Sequence, residues 1–255
     1  MQVAGRNLGL IAKSALDRRH YVAAGNMVKL YEHPAQMFKR YLLGKGTYPC
    51  TVRVRTPQSW LDLRLHTGHD LLTVNEIFCR NDYLADASDT VIVDFGSNIG
   101  ISAAYFLTRN SAAYTYLFEP LPTNVAKLKE NLAPFEGRFE VREAAVGTSD
   151  GEVEFAFEES GRYGGVGAPF GDTLTVPLVN SLTVLEDVVA KHGKIDILKI
   201  DIEGLEAAVI DNIPVELARK INKLYVEYTF DKNPLAETHD YHDYGAIAQF
   251  TRKAV

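Results

Sequence analysis

The chain has 255 residues, 46% hydrophobic and 24% charged, enough for one sizeable α/β domain with an extension and ordinary for a globular protein. No run approaches ~18 uninterrupted apolar residues, so no spanning helix is expected. The N-terminus lacks an apolar core ending in a small-residue cleavage site, so no signal peptide is expected either. The two cysteines, Cys50 and Cys79, argue against a disulfide framework and for reduced thiols in a cytoplasmic protein.

The net charge of −6 hides an asymmetry. Residues 1–56 hold ten Lys/Arg against two acids, Asp17 and Glu32, while residues 57–255 hold seventeen bases and thirty-one acids. A +8 arm therefore precedes a −14 body. One reading docks the arm on the acidic body or on a partner subunit, a homodimer being the simplest case. The other attracts it to an anionic surface, lipid headgroups or a phosphorylated substrate, giving peripheral membrane contact. Nucleic acid is disfavoured as a partner, because no aromatic-basic interleaving supports base stacking.

Residues 1–46 read as helices broken at Gly25 and at His33-Pro34, with Leu8, Ile11, Ala12 and Leu16 at helical spacing. TVRVRTPQSWLDLRLH alternates on both sides of a Thr56-Pro57-Gln58-Ser59 turn, a hairpin pattern. HTGHDLLTVNEIFCRNDY, 66–83, reads as helical to about Arg80. Residues 1–83 are thus expected to form a helix-and-hairpin extension.

From residue 84 the expectation is a second, larger α/β domain running to 255. TVIVDF, YTYLFE, RFEVRE, IDILKI and INKLYVEYTF are buried-type strands, and helices follow most of them. That rhythm requires an α/β sheet, largely parallel, covered by helices on both faces. Thr183-Val184-Leu185-Glu186 offers a capping box. GEVEFAF and TLTVPLV read as short strands flanking ESGRYGGVGAPFGD, a loop with five glycines that also admits a role as a substrate lid. DKNPLAETHDYHDY reads as polar coil and GAIAQFTRKAV as one helix. The closing strands of the sheet are then expected to be missing, unless the 49–66 hairpin fills an edge.

VIVDFGSNIG, 91–100, ends a buried strand and opens a helix, where open α/β sheets bind ligands. It has no Gly-Lys-Ser/Thr, so it is not a Walker loop, and Asn98 stands where a dinucleotide fingerprint needs glycine. A cofactor without phosphate remains. Gly96 would let the backbone approach it, Asp94 suits a ligand amine, and Glu119 with Pro120 closes the next strand, suiting ribose hydroxyls. Adenosine joined to a cationic amino acid describes S-adenosylmethionine. A nicotinamide oxidoreductase is disfavoured by Asn98.

The segments VDFGSNIG, FEPLPTNVAKLKENL, REAAVGTSDGEVEF, VPLVNSLTVLEDVV, LKIDIEGLEAAVI and YVEYTF, in that order, resemble the FkbM-type class I methyltransferases over roughly 66–230. The resemblance implies a Rossmann-like sheet and O-methylation of a carbohydrate, glycolipid or secondary-metabolite hydroxyl. It also implies cofactor contacts from Asp94, Gly96, Ser97, Asn98 and Gly100, a ribose grip from Glu119, an adenine wall from Glu143, Ala144 and Ala145, and Asp201 near the methionine end.

A hydroxyl is a poor nucleophile, so a base is useful. Lys199, Asp201, Glu203 and Glu206 follow or end the fourth parallel strand, and Glu227 lies in the fifth. Convergence of Asp201, Glu203 and Glu227 would raise carboxyl proton affinity and make them the catalytic candidates. The same carboxylates with His239 or His242 would suit a divalent cation, although no metal is assigned. Alternatively, Asp201 caps the next helix and the glutamates only favour its N-terminus. An amine or nucleic-acid methyltransferase, and a non-catalytic S-adenosylmethionine-fold binder, stand as alternatives. KIDIEG stands where exocyclic-amine enzymes carry Asn/Asp-Pro-Pro-aromatic.

Overall fold

The computed structural model describes residues 2–3, 6–7, 18–158, 164–166 and 171–254. The chain divides into two compact units, Met1–Leu84 and Ala85–Val255. Among the described residues no helix is long and apolar enough to cross a membrane.

In the first unit, β1 (Gln2–Val3) and β2 (Arg6–Asn7) pair antiparallel. Then come α1 (Arg18–Leu30), α2 (Pro34–Leu43), the hairpin β3 (Cys50–Arg55) and β4 (Trp60–Leu65), and α3 (Gly68–Val74), which widens into a π turn over Asn75–Cys79. The expected stripe Leu8, Ile11, Ala12, Leu16 lies outside the described residues. Pro34 starts α2 as expected, but α1 runs straight through Gly25. A single mid-helix glycine costs only about 1 kcal/mol against alanine, and tertiary packing outweighs it. Val52, Val54, Leu61, Leu63 and Leu65 form the buried face of the hairpin; Met27, Met37, Leu71 and Val74 are buried on the helices, and Tyr31, just after α1, is buried and bridges to Val54. The Tyr31 hydroxyl donates to Asn75 Oδ1 at 2.8 Å.

The second unit holds β5 (Val91–Phe95), α4 (Ile101–Leu107), β6 (Tyr114–Phe118), α5 (Pro122–Leu132), β7 (Phe139–Arg142), β8 (Ala145–Gly147), β9 (Gly151–Phe157), β10 (Gly164–Val166) and β11 (Asp172–Asn180). They are followed by α6 (Ser181–His192), β12 (Ile195–Ile200), α7 (Glu206–Asp211), α8 (Val215–Ala218), β13 (Ile221–Val226), β14 (His239–Tyr244) and β15 (Ile247–Arg252). A seven-stranded sheet has the order β14-β15-β13-β12-β5-β6-β7, parallel from β13 to β7. Strand order reverses between β5 and β12, so the C-terminal ends of those two strands flank the crevice of a Rossmann-like fold. The strand runs are apolar on both sides because both faces are covered. Val91, Val93, Phe95, Leu198, Ile200 and Leu224 share one core with Leu185, Val188, Val209 and Ile210 of the helices. A smaller sheet, β10-β9-β11-β8, carries its own core of Leu121, Ala145, Phe155 and Val176.

Three expectations fail in this unit, the first being the glycine-rich loop, of which Gly164–Val166 is strand β10 paired antiparallel with β9. The closing strands are present: HDYHDY is β14 and IAQFTR is β15, an antiparallel pair added to β13. Between Tyr244 and Ile247, which pair, lies a two-residue turn whose Gly245 takes φ 76°. Glycine at the first position of such a turn is a hairpin signal. It is masked here because β14 is a polar edge strand and β15 is rich in helix formers. The β3–β4 hairpin forms a separate two-stranded sheet and fills no edge. The capping box at Thr183 also gives way: the cap lies three residues earlier, at Asn180 at the end of β11, whose side chain accepts from Leu182 N–H.

Candidate functional site

The turn after β5 is tied down by backbone geometry. Gly96 and Ser97 N–H both donate to the Phe118 carbonyl, at 3.0 and 2.9 Å. The buried Ser97 hydroxyl donates to the Asp94 carbonyl and accepts from Phe118 N–H, stapling β5 to β6. Asn98 sits at φ 47°, a left-handed conformation that asparagine tolerates, and its side chain accepts from Ile99 N–H at 2.7 Å. Gly96, at φ 82°, answers a need other than the one read from sequence. A Cβ there would stand 1.7 Å from the Asp201 carbonyl oxygen, so the backbone that comes close is that of the neighbouring turn. A Cβ on Gly100 would meet Leu128 and Leu132 at 3.1 and 3.3 Å, which sets the spacing of α4 and α5.

Glu119, at the end of β6, is buried. Oε2 accepts from Asn98 N–H at 2.9 Å, and Oε1 accepts from Leu121 N–H and Asn124 Nδ2, both at 3.1 Å. Burial pushes its carboxyl up to about 7, against the three donors that favour the charged form. Pro120 and Ala144 are buried, Ala145 packs into the small core with Leu121, and Glu143 points to solvent. The structure therefore brings Gly96, Ser97, Asn98 and Glu119 into one hydrogen-bonded turn and leaves Glu143 on the surface.

Asp94 does not reach open space. Its carboxylate is wholly enclosed, with Oδ1 accepting from Lys199 Nζ at 3.0 Å and Oδ2 from the Ser102 hydroxyl at 2.5 Å. Burial raises this carboxyl above its ordinary value, against the opposing pull of Lys199 and Ser102. Lys199 and Asp94 are opposite one another across the β12–β5 ladder. The same buried ammonium donates to the Gly96 carbonyl at 2.9 Å and pairs with Asp201 Oδ2 at 3.2 Å. Its three protons thus link β5 and the turn after it to the turn after β12.

Asp201 is partly exposed and hydrogen-bonds Glu227, which follows β13. Although Glu227 meets solvent, its carboxyl is pushed up to about 9, first by the Asp201 charge, then by partial burial and the shared hydrogen bond. Glu203 contributes more weakly from the same turn, at φ 55°. Glu206 plays a structural part: buried at the start of α7, it accepts from Ile202 and Gly204 N–H at 3.0 and 2.8 Å and closes the turn. Gly165 of β10 lies against this turn, since a Cβ there would stand 2.6 Å from the Glu203 carbonyl. The flanking glycine-rich residues 159–163 and 167–170 lie outside the described residues.

Asp201, Glu203 and Glu227 converge as their positions after neighbouring strands suggest. His239 does not join them: its ring nitrogens bond Thr238 Oγ1 at 2.8 Å and the Ile221 carbonyl at 3.0 Å. Among the described residues no group of three His, Cys, Asp or Glu is arranged to hold a metal. Sequence reasoning gave no role to Ser102 or Asn124, and it grouped Lys199 with the carboxylates of the fourth strand without reading its bridge to Asp94 and Gly96. Lys199 had the one usable signal, a charge inside an otherwise apolar strand.

Against known proteins, the FkbM methyltransferase domain model matches residues 94–254. The chain is 28% identical over 162 residues to the 2-O-methyltransferase NoeI of Sinorhizobium fredii, covering 57% of this chain and 66% of NoeI. It is 33% identical over 113 residues to the AMB antimetabolite synthetase AmbE of Pseudomonas aeruginosa, covering 39% of this chain and 5% of the synthetase. It thus spans less than two thirds of either relative. A methyltransferase structure from Geobacter sulfurreducens aligns over 71% of this chain and 88% of its own, at 12% identity and a TM-score of 0.38.

Proposed function

The chain belongs to the FkbM methyltransferase family, whose cofactor is S-adenosylmethionine, and on that premise we propose that it methylates a hydroxyl of a carbohydrate, glycolipid or secondary metabolite. The observation that carries the hydroxyl reading is the Lys199-anchored Asp201–Glu227 carboxyl pair at the mouth of the sheet. An amine acceptor needs no base once it is neutral, whereas an alcohol gains from one. The 2-O-methyltransferase activity named for NoeI supports the same choice.

The residues fit the cofactor. Glu119 presents a carboxylate at the β6 tip, where ribose hydroxyls would offset the burial that raises its proton affinity. Gly96 and Asn98 are the partly accessible points of an otherwise buried turn, and Ala144 is small and apolar. S-adenosylmethionine supplies an electrophilic methyl group when bound. The chain's own part is to hold the acceptor oxygen in line and to take its proton. Asp201 receives that proton, Glu227 raises the basicity of the pair, and Lys199 fixes Asp201 in place. Glu203 borders the acceptor.

Labelled S-adenosylmethionine with fractionated sugar, lipid and metabolite extracts tests the reading. The expected product carries label as an ether methyl that survives mild base. Label found only on amines or nucleic acid would overturn it.

A further inference from the structure

Ten large apolar side chains are exposed among the described residues, and six of them lie between residues 21 and 60: Tyr21, Val22, Val28, Leu42, Leu43 and Trp60. On α1, Tyr21 and Val28 are seven residues apart and share the outer face, and Val22 and Lys29 flank them at the same interval. The opposite side of the helix is seated, with Met27 buried and the Asn26 amide donating to the Cys79 carbonyl at 2.8 Å. The end of α2 repeats the pattern, with exposed Lys39, Leu42 and Leu43, and then Lys45 beyond the Gly44 cap. At the turn end of the hairpin the facing pair is Arg55 and Trp60, both exposed.

The charge around these side chains is one-sided. The unit Met1–Leu84 holds twelve Lys/Arg and six Asp/Glu in its sequence, net +6. Its described acids are largely committed: Glu32 and Asp62 to Arg53, Asp70 to the Thr67 capping box, Asp82 to Arg80. Lys29, Lys39, Lys45 and Arg55 form no ion pair among the described residues. Exposed aromatic and aliphatic tips interspersed with uncommitted cations, spread over two helices and a hairpin turn, match a fluid anionic interface better than a single groove-filling peptide. A nucleic-acid backbone would use the cations and leave the aliphatic tips wet.

We propose that this N-terminal unit docks on the surface of an anionic phospholipid bilayer, setting Tyr21, Val28, Leu42, Leu43 and Trp60 at headgroup depth with the lysines on lipid phosphates. The full chain carries its own reporter, because Trp60 is its single tryptophan. With vesicles of phosphatidylcholine and phosphatidylserine, co-sedimentation should exceed that with phosphatidylcholine alone by roughly tenfold or more, and should fall as salt is raised. Trp60 emission should shift to the blue on the anionic vesicles only. Lys39→Glu with Lys45→Glu should cut binding about tenfold, and Tyr21→Ser with Val28→Ser should weaken it even at low salt, with circular dichroism unchanged in both. No sedimentation with either vesicle, equal sedimentation with both, undiminished binding by the charge-reversed variant, or tighter binding to a duplex oligonucleotide would each overturn the proposal. None of these readouts depends on methyl transfer.

Discussion

The turns after β5 and β12 face each other across the switch in strand order, yet they use their residues in opposite ways. The first spends its side chains on its own backbone: Ser97, Asn98 and Glu119 each satisfy a nearby peptide group. The second leaves carboxyl groups in contact with solvent and packs them close enough to perturb one another. A surface built from satisfied backbone recognises a rigid ligand by shape. Clustered carboxyls at the mouth can move a proton. Lys199 bonds to both.

The comparison breaks most severely at Gly96. Gly96→Ala would place a methyl group 1.7 Å from the Asp201 carbonyl and strain a φ of 82°, so both turns should be displaced together. The expected cost is about 3 kcal/mol or more, read as a large drop in melting temperature or loss of soluble protein. A variant that melts near wild type would show that the turns do not depend on each other.

Asp201→Asn keeps the shape of the second turn and removes its charge. If the proton goes to this group, kcat should fall by ~10²–10⁴ with affinity for S-adenosylhomocysteine nearly unchanged. Unaltered kcat would remove Asp201 from the chemistry. Glu119→Ala should do the reverse, weakening S-adenosylhomocysteine binding by about 1–3 kcal/mol in calorimetry. Equal losses of affinity in both variants would erase the division of labour.

The smallest effect concerns pH. The carboxyl of Glu227 is raised in the folded protein from an ordinary 4.5 to about 9. A raised carboxyl binds its proton more tightly folded than unfolded, so its contribution to stability is full below 4.5 and is lost as pH rises through 9. Glu227→Gln cannot ionise. Between pH 7 and 10 its melting temperature should fall less than that of wild type. Parallel curves would mean the two carboxyls do not interact. As the pair loses its proton it becomes a stronger base, so wild-type kcat should also climb toward pH 9, and Asp201→Asn should shift that limb to lower pH.

Much of this contrast was legible in the sequence. Near-continuous apolar runs disclosed β5, β6, β12 and β13, because strands covered on both faces need them. The spacing of Asp94, Gly96 and Glu119 located the first turn, and LKIDIEG with YVEYTF the second. What could not be read depends on register. Lys199 meets Asp94 because two strands 105 residues apart pair in one alignment and no other. Gly96 is required by a backbone contact that no local pattern encodes. The β14–β15 hairpin escaped because an edge strand need not be apolar, and because Ala248, Gln249 and Arg252 favour a helix until β13 offers the strand a partner.

That hairpin also guards the protein against self-association. Strand β13 carries Ile221, Leu224, Tyr225 and Val226, all buried, and without β15 it would present a bare row of peptide donors and acceptors ready to recruit another chain. β14 ends the sheet with Asp240 and Asp243 exposed, and β7 ends the other side with Glu140 and Arg142 exposed. Charged borders of this kind discourage edge-to-edge growth into fibres. A chain cut before His239 should therefore be prone to aggregate from its most apolar strand, even though every residue of the two turns would still be present.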